Sequence, residues 1–286
     1  MTLSKAPPDI SGITDHSPGP ELEPLISVTA SRRTVPRWLR RTAVPVLLLV
    51  LWQVTSATGV LSPDTLASPG TVARAASDLI SSGELGTAMS VSLRRVAFGL
   101  LVGGLAGTGL ALVAGLSRLG EDTVDATVQM MRTVPFVGLI PLLIIWLGIG
   151  EAPKITLIAL GVTFPLYLNV YAGIRGVDER LIEAGSSLSL SRWGLIRHVI
   201  LPGALPNFMT GLRFSLATAW LALIFGEQVN ADAGLGYLLN RARDYLRTDQ
   251  IIVCLVVYAL LGLVVDALVR TLERLLLQWR PTFTGS

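Results

Sequence analysis

The chain is dominated by apolar runs, each about long enough to cross a bilayer. A hydrocarbon core takes about 20 mainly apolar residues in a helix. Six segments meet that length: Thr42–Leu61, Leu93–Leu116, Val124–Leu147, Ile155–Ile174, Leu205–Phe225 and Ile251–Val269. In lipid every backbone N–H and C=O must be bonded inside the segment, so runs like these fold as helices. The expectation is an all-α integral membrane protein of six transmembrane helices. Composition agrees: 51% of the residues are hydrophobic and 15% charged, against about 25% charged in a soluble domain. The third segment is irregular, because Arg132, Pro135, Gly138 and Pro141 interrupt it. A broken helix at membrane depth needs protein or a water-filled cavity over its freed backbone groups.

Charge sets the expected orientation. Arg32, Arg33, Arg37, Arg40 and Arg41 precede the first run, and basic residues beside a span stay cytoplasmic. Residues 1–35, with Pro7, Pro8, Pro18, Pro20 and Pro24 among Ser, Gly, Asp and Glu, read as a disordered cytoplasmic tail. No basic-then-apolar secretory pattern opens the chain. Alternating crossings place 62–92, 148–154 and 226–250 outside, and 117–123, 175–204 and the C-terminus inside. Arg270, Arg274 and Arg280 near that end agree. Arg94 and Arg95 fit poorly, since they open the second span on the outer side; they are expected to snorkel to the interface.

Much chemistry is excluded. The formal net charge is +3, too small to suggest nucleic acid. Cys254 is the only cysteine, and His16 and His198 lie far apart, so no disulfide, metal cluster or histidine-based catalytic set is expected. No G-x-x-x-x-G-K-[ST] phosphate loop occurs. Few acidic groups lie within spans: Glu227 closes the fifth and Asp266 lies late in the sixth. An ion relay usually places several near the midplane. Nucleotide hydrolysis by a phosphate loop is not expected of this chain.

Two features inside the spans stand out. Gly99, Gly103, Gly107, Ala111 and Gly115 recur at steps of four along the second span, which keeps one helix face small and lets another backbone approach. That face is a candidate for packing inside the chain or for a seam between two copies. In the third span Arg132 lies about 12 Å from Val124 at 1.5 Å per residue. Pro135 has no N–H, leaving the carbonyl of Met131 without its helical partner. Arg132 either bonds freed carbonyls or an acidic group, or borders a cavity and attracts an oxyanion, for which a guanidinium fork is well shaped.

The cytoplasmic stretch "LIEAGSSLSLSRWGLIRHVILPGALP" is longer and more polar than a simple connection requires. Asp178 is a plausible N-cap for a helix with small residues at Ala184, Gly185, Ser186 and Ser187. A second short helix, Arg192–Ile200, follows, which Leu201-Pro202 is expected to end. The pattern allows a surface-lying amphipathic loop or a protein interface.

The same stretch resembles the EAA loop of ABC-importer permeases, which reads E-A-A, three residues, G, nine residues, I, one residue, L-P. Glu183-Ala184-Gly185 match the first element and Leu201-Pro202 the last, while Ser189 stands for the glycine and Val199 for the isoleucine. "SLRRVAFGLLVGGLAG", "NVYAGIRGVDERLIEAG" and "GLGYLLNRARDYLRTDQI" are similar to the nitrate/sulfonate/taurine branch of that family, and the likeness runs from about residue 36 to 280. It implies a type I ABC-importer permease fold. A first span and extracytoplasmic segment would cover 36–91, a permease core 92–280 with the EAA-like loop at 178–202, and a C-terminal tail 281–286.

The resemblance also implies partners. A second permease copy completes the pathway, two ATPase subunits bind the ATP and magnesium, and an extracytoplasmic binding protein delivers substrate. The chain itself needs no cofactor. The site is the bacterial cytoplasmic (inner) membrane, with both termini cytoplasmic. Glu183, Ala184, Gly185, Ser189, Arg192, Leu201 and Pro202 would form the cytoplasmic coupling helix and its turn. Glycine at the Ser189 position would allow a positive φ, uncommon for serine, so either the turn differs or Ser189 bears the strain. The implied cargo is an aliphatic sulfonate, with nitrate, bicarbonate, taurine or a thiamine-precursor pyrimidine as alternatives. An ion-coupled carrier or a non-transporting scaffold are the other classes.

Overall fold

The computed structural model describes residues 37–58 and 65–278. The expected N-terminal tail, the arginines at 32 and 33 and the C-terminal tail lie outside the described residues. Among the described residues every regular element is helical. The elements are α1 Arg37–Ala57, α2 Pro69–Ser81, α3 Glu84–Leu116, α4 Arg118–Met131, α5 Phe136–Leu147, α6 Glu151–Arg175, α7 Glu179–Ser187, α8 Arg192–Gln228, α9 Leu235–Asp244 and α10 Thr248–Leu276. By internal contacts the chain parts at Val46, and α2 to α10 all belong to the second unit.

The second unit is built around α6, which packs along α3 on one side and α8 on the other. Small residues set both contacts. A Cβ on Gly99 would collide with Ile158, and one on Gly103 with the Ala159 carbonyl. On Gly107 it would meet the Thr163 carbonyl at 2.6 Å, and on Gly115 Ile174 at 2.8 Å. Ala111 is fully buried. Numbering rises along both helices through these contacts, so α3 and α6 run parallel. Thr163 Oγ1 donates across the seam to the Gly103 carbonyl at 3.2 Å. Against α8 the order reverses: Gly173 lies on Asn207, Gly211 on Asn169 and Leu166, and Gly226 on Lys154. The α6 and α8 helices are therefore antiparallel.

These directions define two ends. One gathers the starts of α3, α6 and α10, the end of α8, and α9. The other gathers the ends of α3, α6 and α10, the start of α8, and α7. The α4–α5 segment leaves α3 at the α7 end and enters α6 at the α9 end, so it runs the length of the unit. It does so broken, with its halves bent by 82°. Two apolar clusters fill the interior. The first joins Leu79, Leu85, Val96, Leu157, Leu223 and Tyr258. The second joins Ala111, Val128, Leu166, Tyr167 and Val170.

Four helices, α3, α6, α8 and α10, are long and apolar enough to cross a membrane, and the bent pair makes five. Ala43–Ala57 is a shorter apolar helix, and residues 59–61 of the expected first span lie outside the described residues. Three details differ from expectation. The stretches expected as outer loops contain helices, α2 and α9. Ser68 starts α2 by accepting from the Thr71 N–H at 3.2 Å, with Pro69 at the first helical position, where its missing N–H costs nothing. The α4 helix begins at Arg118, earlier than Val124. Finally, Leu201-Pro202 does not end a helix. Arg192–Gln228 is continuous through a π turn at Ile196–Ile200, where the Leu201 N–H donates to the Ile196 carbonyl. The wider register absorbs the donor that Pro202 lacks.

Candidate functional site

Sequence reasoning missed a buried charged cluster at the α9 end. Arg95 is 3% exposed and Glu227 1%. Arg95 Nη1 donates to Glu227 Oε1 at 2.7 Å and to the Ala233 carbonyl at 2.7 Å. Its Nε and Nη2 donate to the two oxygens of Glu151 at 2.6 and 2.5 Å. Glu227 also accepts from Ser92 Oγ at 2.7 Å and from the Gly236 N–H at 2.7 Å. Ser92 Oγ in turn accepts from the Leu235 N–H at 2.9 Å. Lys154, also buried, lies 3.6 Å from Glu151. A Cβ on Gly234, at φ 116, would lie 2.5 Å from Glu227 and 2.6 Å from Arg95. That residue must be glycine for both space and backbone.

Buried charge is tolerated only when paired and hydrogen-bonded. Here the pairing ties the loop after α8 to α3 and α6. Arg95 therefore does not snorkel; it points inward. At the rim Arg241 pairs with Glu84, and that carboxylate's hydrogen bond raises the Arg241 pKa above its ordinary value.

The α7 end carries the EAA-like loop. Asp178 caps α7 by accepting from the Arg180 N–H at 3.0 Å. The helix ends at Ser189, whose φ is 59°. The Ser189 N–H donates to the Ser186 carbonyl at 2.9 Å, and the Leu190 N–H to the Gly185 carbonyl at 3.1 Å. This is the Schellman pattern, which wants glycine at the left-handed residue. Serine adopts it here, so the turn is kept at a cost. Ser191 then caps the start of α8 by accepting from the Gly194 N–H at 3.2 Å.

Gly185 is buried under Leu195, Leu190 and Val199, so it serves packing inside the loop. Leu181 and Leu188 are exposed at 56% and 78%, and Trp193 at 66%. Glu183 and Ala184 are exposed as well. An apolar face with a carboxylate beside it is thus turned away from the rest of the chain. Arg192 opens α8, and Leu201 and Pro202 are exposed above it.

Arg132 and Pro135 lie at the α4–α5 break. The Met131 carbonyl is not left open: the Val134 N–H donates to it at 3.1 Å. Arg132 is exposed, and among the described residues no carbonyl or carboxylate is recorded against its guanidinium. The structure does not bring it to the EAA-like loop or to the Arg95 cluster. The small-residue face of Gly99, Gly103, Gly107, Ala111 and Gly115 is filled by α6. At these positions it leaves no room for a second copy.

A bundle of apolar helices with one broken span and an exposed two-helix loop at one end fits a membrane-embedded subunit. The chain belongs to the family described as binding-protein-dependent transport system inner membrane component, whose profile matches residues 99–278. It is a permease subunit of an ABC importer, not an enzyme. It is 46% identical to the aliphatic sulfonates transport permease protein SsuC of Escherichia coli (strain K12) over 252 residues, covering 87% of this chain and 96% of that protein. The SsuC protein of Bacillus subtilis (strain 168) is 40% identical over 87% of this chain and 90% of its own length. The taurine transport system permease protein TauC of Escherichia coli (strain K12) is 35% identical over 67% of this chain and 70% of its own. Among solved structures, an amino acid ABC transporter aligns with TM-score 0.57 at 18% identity, covering 69% of this chain and 96% of that one. The MetNI methionine ABC transporter aligns at 0.52 and 22%, covering 63% and 92%. Both carry the fold alone.

Proposed function

We propose that this chain forms the translocation pathway of an ATP-driven importer for aliphatic sulfonates. It would act as a homodimer in the bacterial cytoplasmic membrane, with two ATPase subunits inside and a binding protein outside. The observation that carries the substrate class is the 46% identity to a sulfonate permease across 96% of its length. Six crossings, with both termini cytoplasmic, follow if α1 is the first. The opposite placement of the α7 and α9 ends fits the alternation of the later crossings, α6, α8 and α10.

In this reading α7 is the coupling helix. ATP binding draws the two ATPases together, and the exposed Leu181, Glu183, Ala184 and Leu188 face moves with them. The Gly185 contact with Leu195 passes that motion to α8, and the spans rock from an inward-open to an outward-open cavity. Substrate enters from the binding protein, and hydrolysis resets the inward state. ATP and magnesium belong to the ATPases. In this reading Arg132 and Pro135 border the cavity; the break in α4–α5, which needs water or protein over it, supports that assignment. A strain deleted for its own sulfonate permease tests the substrate: this chain with its partner subunits restores growth on ethanesulfonate as sole sulfur source. Taurine is the second reading, favoured by the 35% identity to TauC. Growth on taurine but not ethanesulfonate would select it, and growth on neither would refute both.

A further inference from the structure

A charged cluster separate from the two sites above joins α8 to the last turns of α10. Arg213 sits on α8, two residues past Gly211, which packs on Leu166 and Asn169 of α6. Since α6 ends at Arg175, Arg213 lies roughly 12 Å inside that end at 1.5 Å per residue. Its Nη2 donates to Glu273 Oε2 at 2.7 Å, and its Nε lies 3.7 Å from Asp266 Oδ1. Arg270 pairs with Asp266 from the other side. The four charges cancel.

The cluster is nevertheless open: the Arg213 side chain is 48% exposed, Glu273 37% and Asp266 31%. Thr210, one turn before Arg213 on α8, is also exposed. A charged side chain at this depth does not face hydrocarbon; it faces water or protein. An exposed threonine and arginine one turn apart on a spanning helix suit the wall of a wet passage better than a lipid contact.

We propose that Arg213 is an anion-holding residue of the passage, taking the sulfonate group of the cargo in place of Glu273. This rests on the importer reading above. The planar fork of arginine matches an oxyanion. The resident carboxylates make the hold weak, as passage requires: an anion displaces Glu273 from the guanidinium, and Glu273 returns when the anion leaves. Thr210 places a neutral hydroxyl one turn toward the α7 end.

The test uses the complete complex in proteoliposomes with labelled ethanesulfonate. Arg213→Gln lowers uptake about tenfold, the loss expected of a charge-assisted hydrogen bond to the anion, while ATPase subunits still co-purify; Arg213→Lys recovers part. Glu273→Gln does the opposite to affinity and lowers KM about threefold, the scale of one partly exposed ion pair. Equal loss in Arg213→Gln and Glu273→Gln would mean a structural tie between α8 and α10 and overturn the proposal. A second measurement does not need uptake. For Thr210→Cys in a Cys254→Ser background, the ratio of the rate with anionic sulfonatoethyl methanethiosulfonate to that with its cationic trimethylammonium counterpart falls several-fold when Arg213→Gln is added; an unchanged ratio overturns the proposal. No reaction with either reagent would place lipid or a second copy on this face and refute the passage. If the wild type carries another anion instead of a sulfonate, the substrate reading fails, and the Arg213 variants are measured with that anion. Unchanged uptake of any anion the wild type carries overturns the Arg213 proposal alone. Transport of uncharged solutes only overturns both.

Discussion

Among the described residues Arg95 is the cation that touches Glu227, and the cost of Arg95→Met can be worked from the geometry. Glu227 is 1% exposed and keeps only neutral donors: Ser92, the Gly236 N–H and, at 3.4 Å, the Tyr258 hydroxyl. Leaving a buried charge without its partner costs about 3–5 kcal/mol. The Glu151 side adds less than about 1 kcal/mol, because its side chain is 56% exposed and stays hydrated. A total of about 4 kcal/mol corresponds to a fall in Tm of about 10 °C in a chain of this size. Adding Glu227→Met removes the stranded charge. What remains is the Gly236 N–H and the Ala233 carbonyl, each about 1–3 kcal/mol if unsatisfied. The double variant is therefore expected to be no less stable than Arg95→Met alone, a coupling of about 2–3 kcal/mol. Cys254 is 0% exposed and is the only thiol, so a thiol-reactive dye reports unfolding of the detergent-solubilised protein. A Tm shift below about 2 °C for Arg95→Met, or additive losses in the double variant, would refute the reasoning.

Other substitutions follow from the packing and the loop. Gly103→Leu drives a side chain into the Ala159 backbone and abolishes folding or costs more than about 3 kcal/mol; Gly109→Leu, with open space around it, leaves Tm within about 2 °C. Ser189→Gly relieves a left-handed serine and stabilises by about 1 kcal/mol, with coupled ATPase activity retained, whereas Ser189→Val lowers both. Glu183→Ala leaves Tm unchanged and reduces the ATPase activity stimulated by binding protein, because Glu183 is exposed and its carboxylate is free to meet another subunit. In a Cys254→Ser background, Ser82→Cys labels from outside intact cells and Ser187→Cys only after permeabilisation; the reverse pattern would invert the topology.

Features carried by local spacing could be read from the sequence, and those made by distant residues could not. The steps of four from Gly99 to Gly115 are a property of one helix, so the small face was visible, although which neighbour filled it was not. The turn at Ser189 was visible through the resemblance to the EAA loop, whose glycine at that position points to the left-handed backbone that Ser189 adopts. The Arg95 cluster was hidden: Glu151 lies 56 residues away and Glu227 132. Each sits at the margin of an apolar run, where a charge ordinarily reaches water. Only the antiparallel return of α8 along α6 brings Glu227 back beside α3. Proline misled at 202, since a π turn lets a helix pass a residue without an N–H.

ATP-driven uptake into proteoliposomes tests the central claim most directly. The purified complex, given the binding protein on one side and ATP on the other, is expected to accumulate labelled ethanesulfonate against its gradient. That accumulation should stop without ATP or without the binding protein. Uptake that continues without ATP and follows an imposed ion gradient would contradict the account and mark a secondary carrier instead.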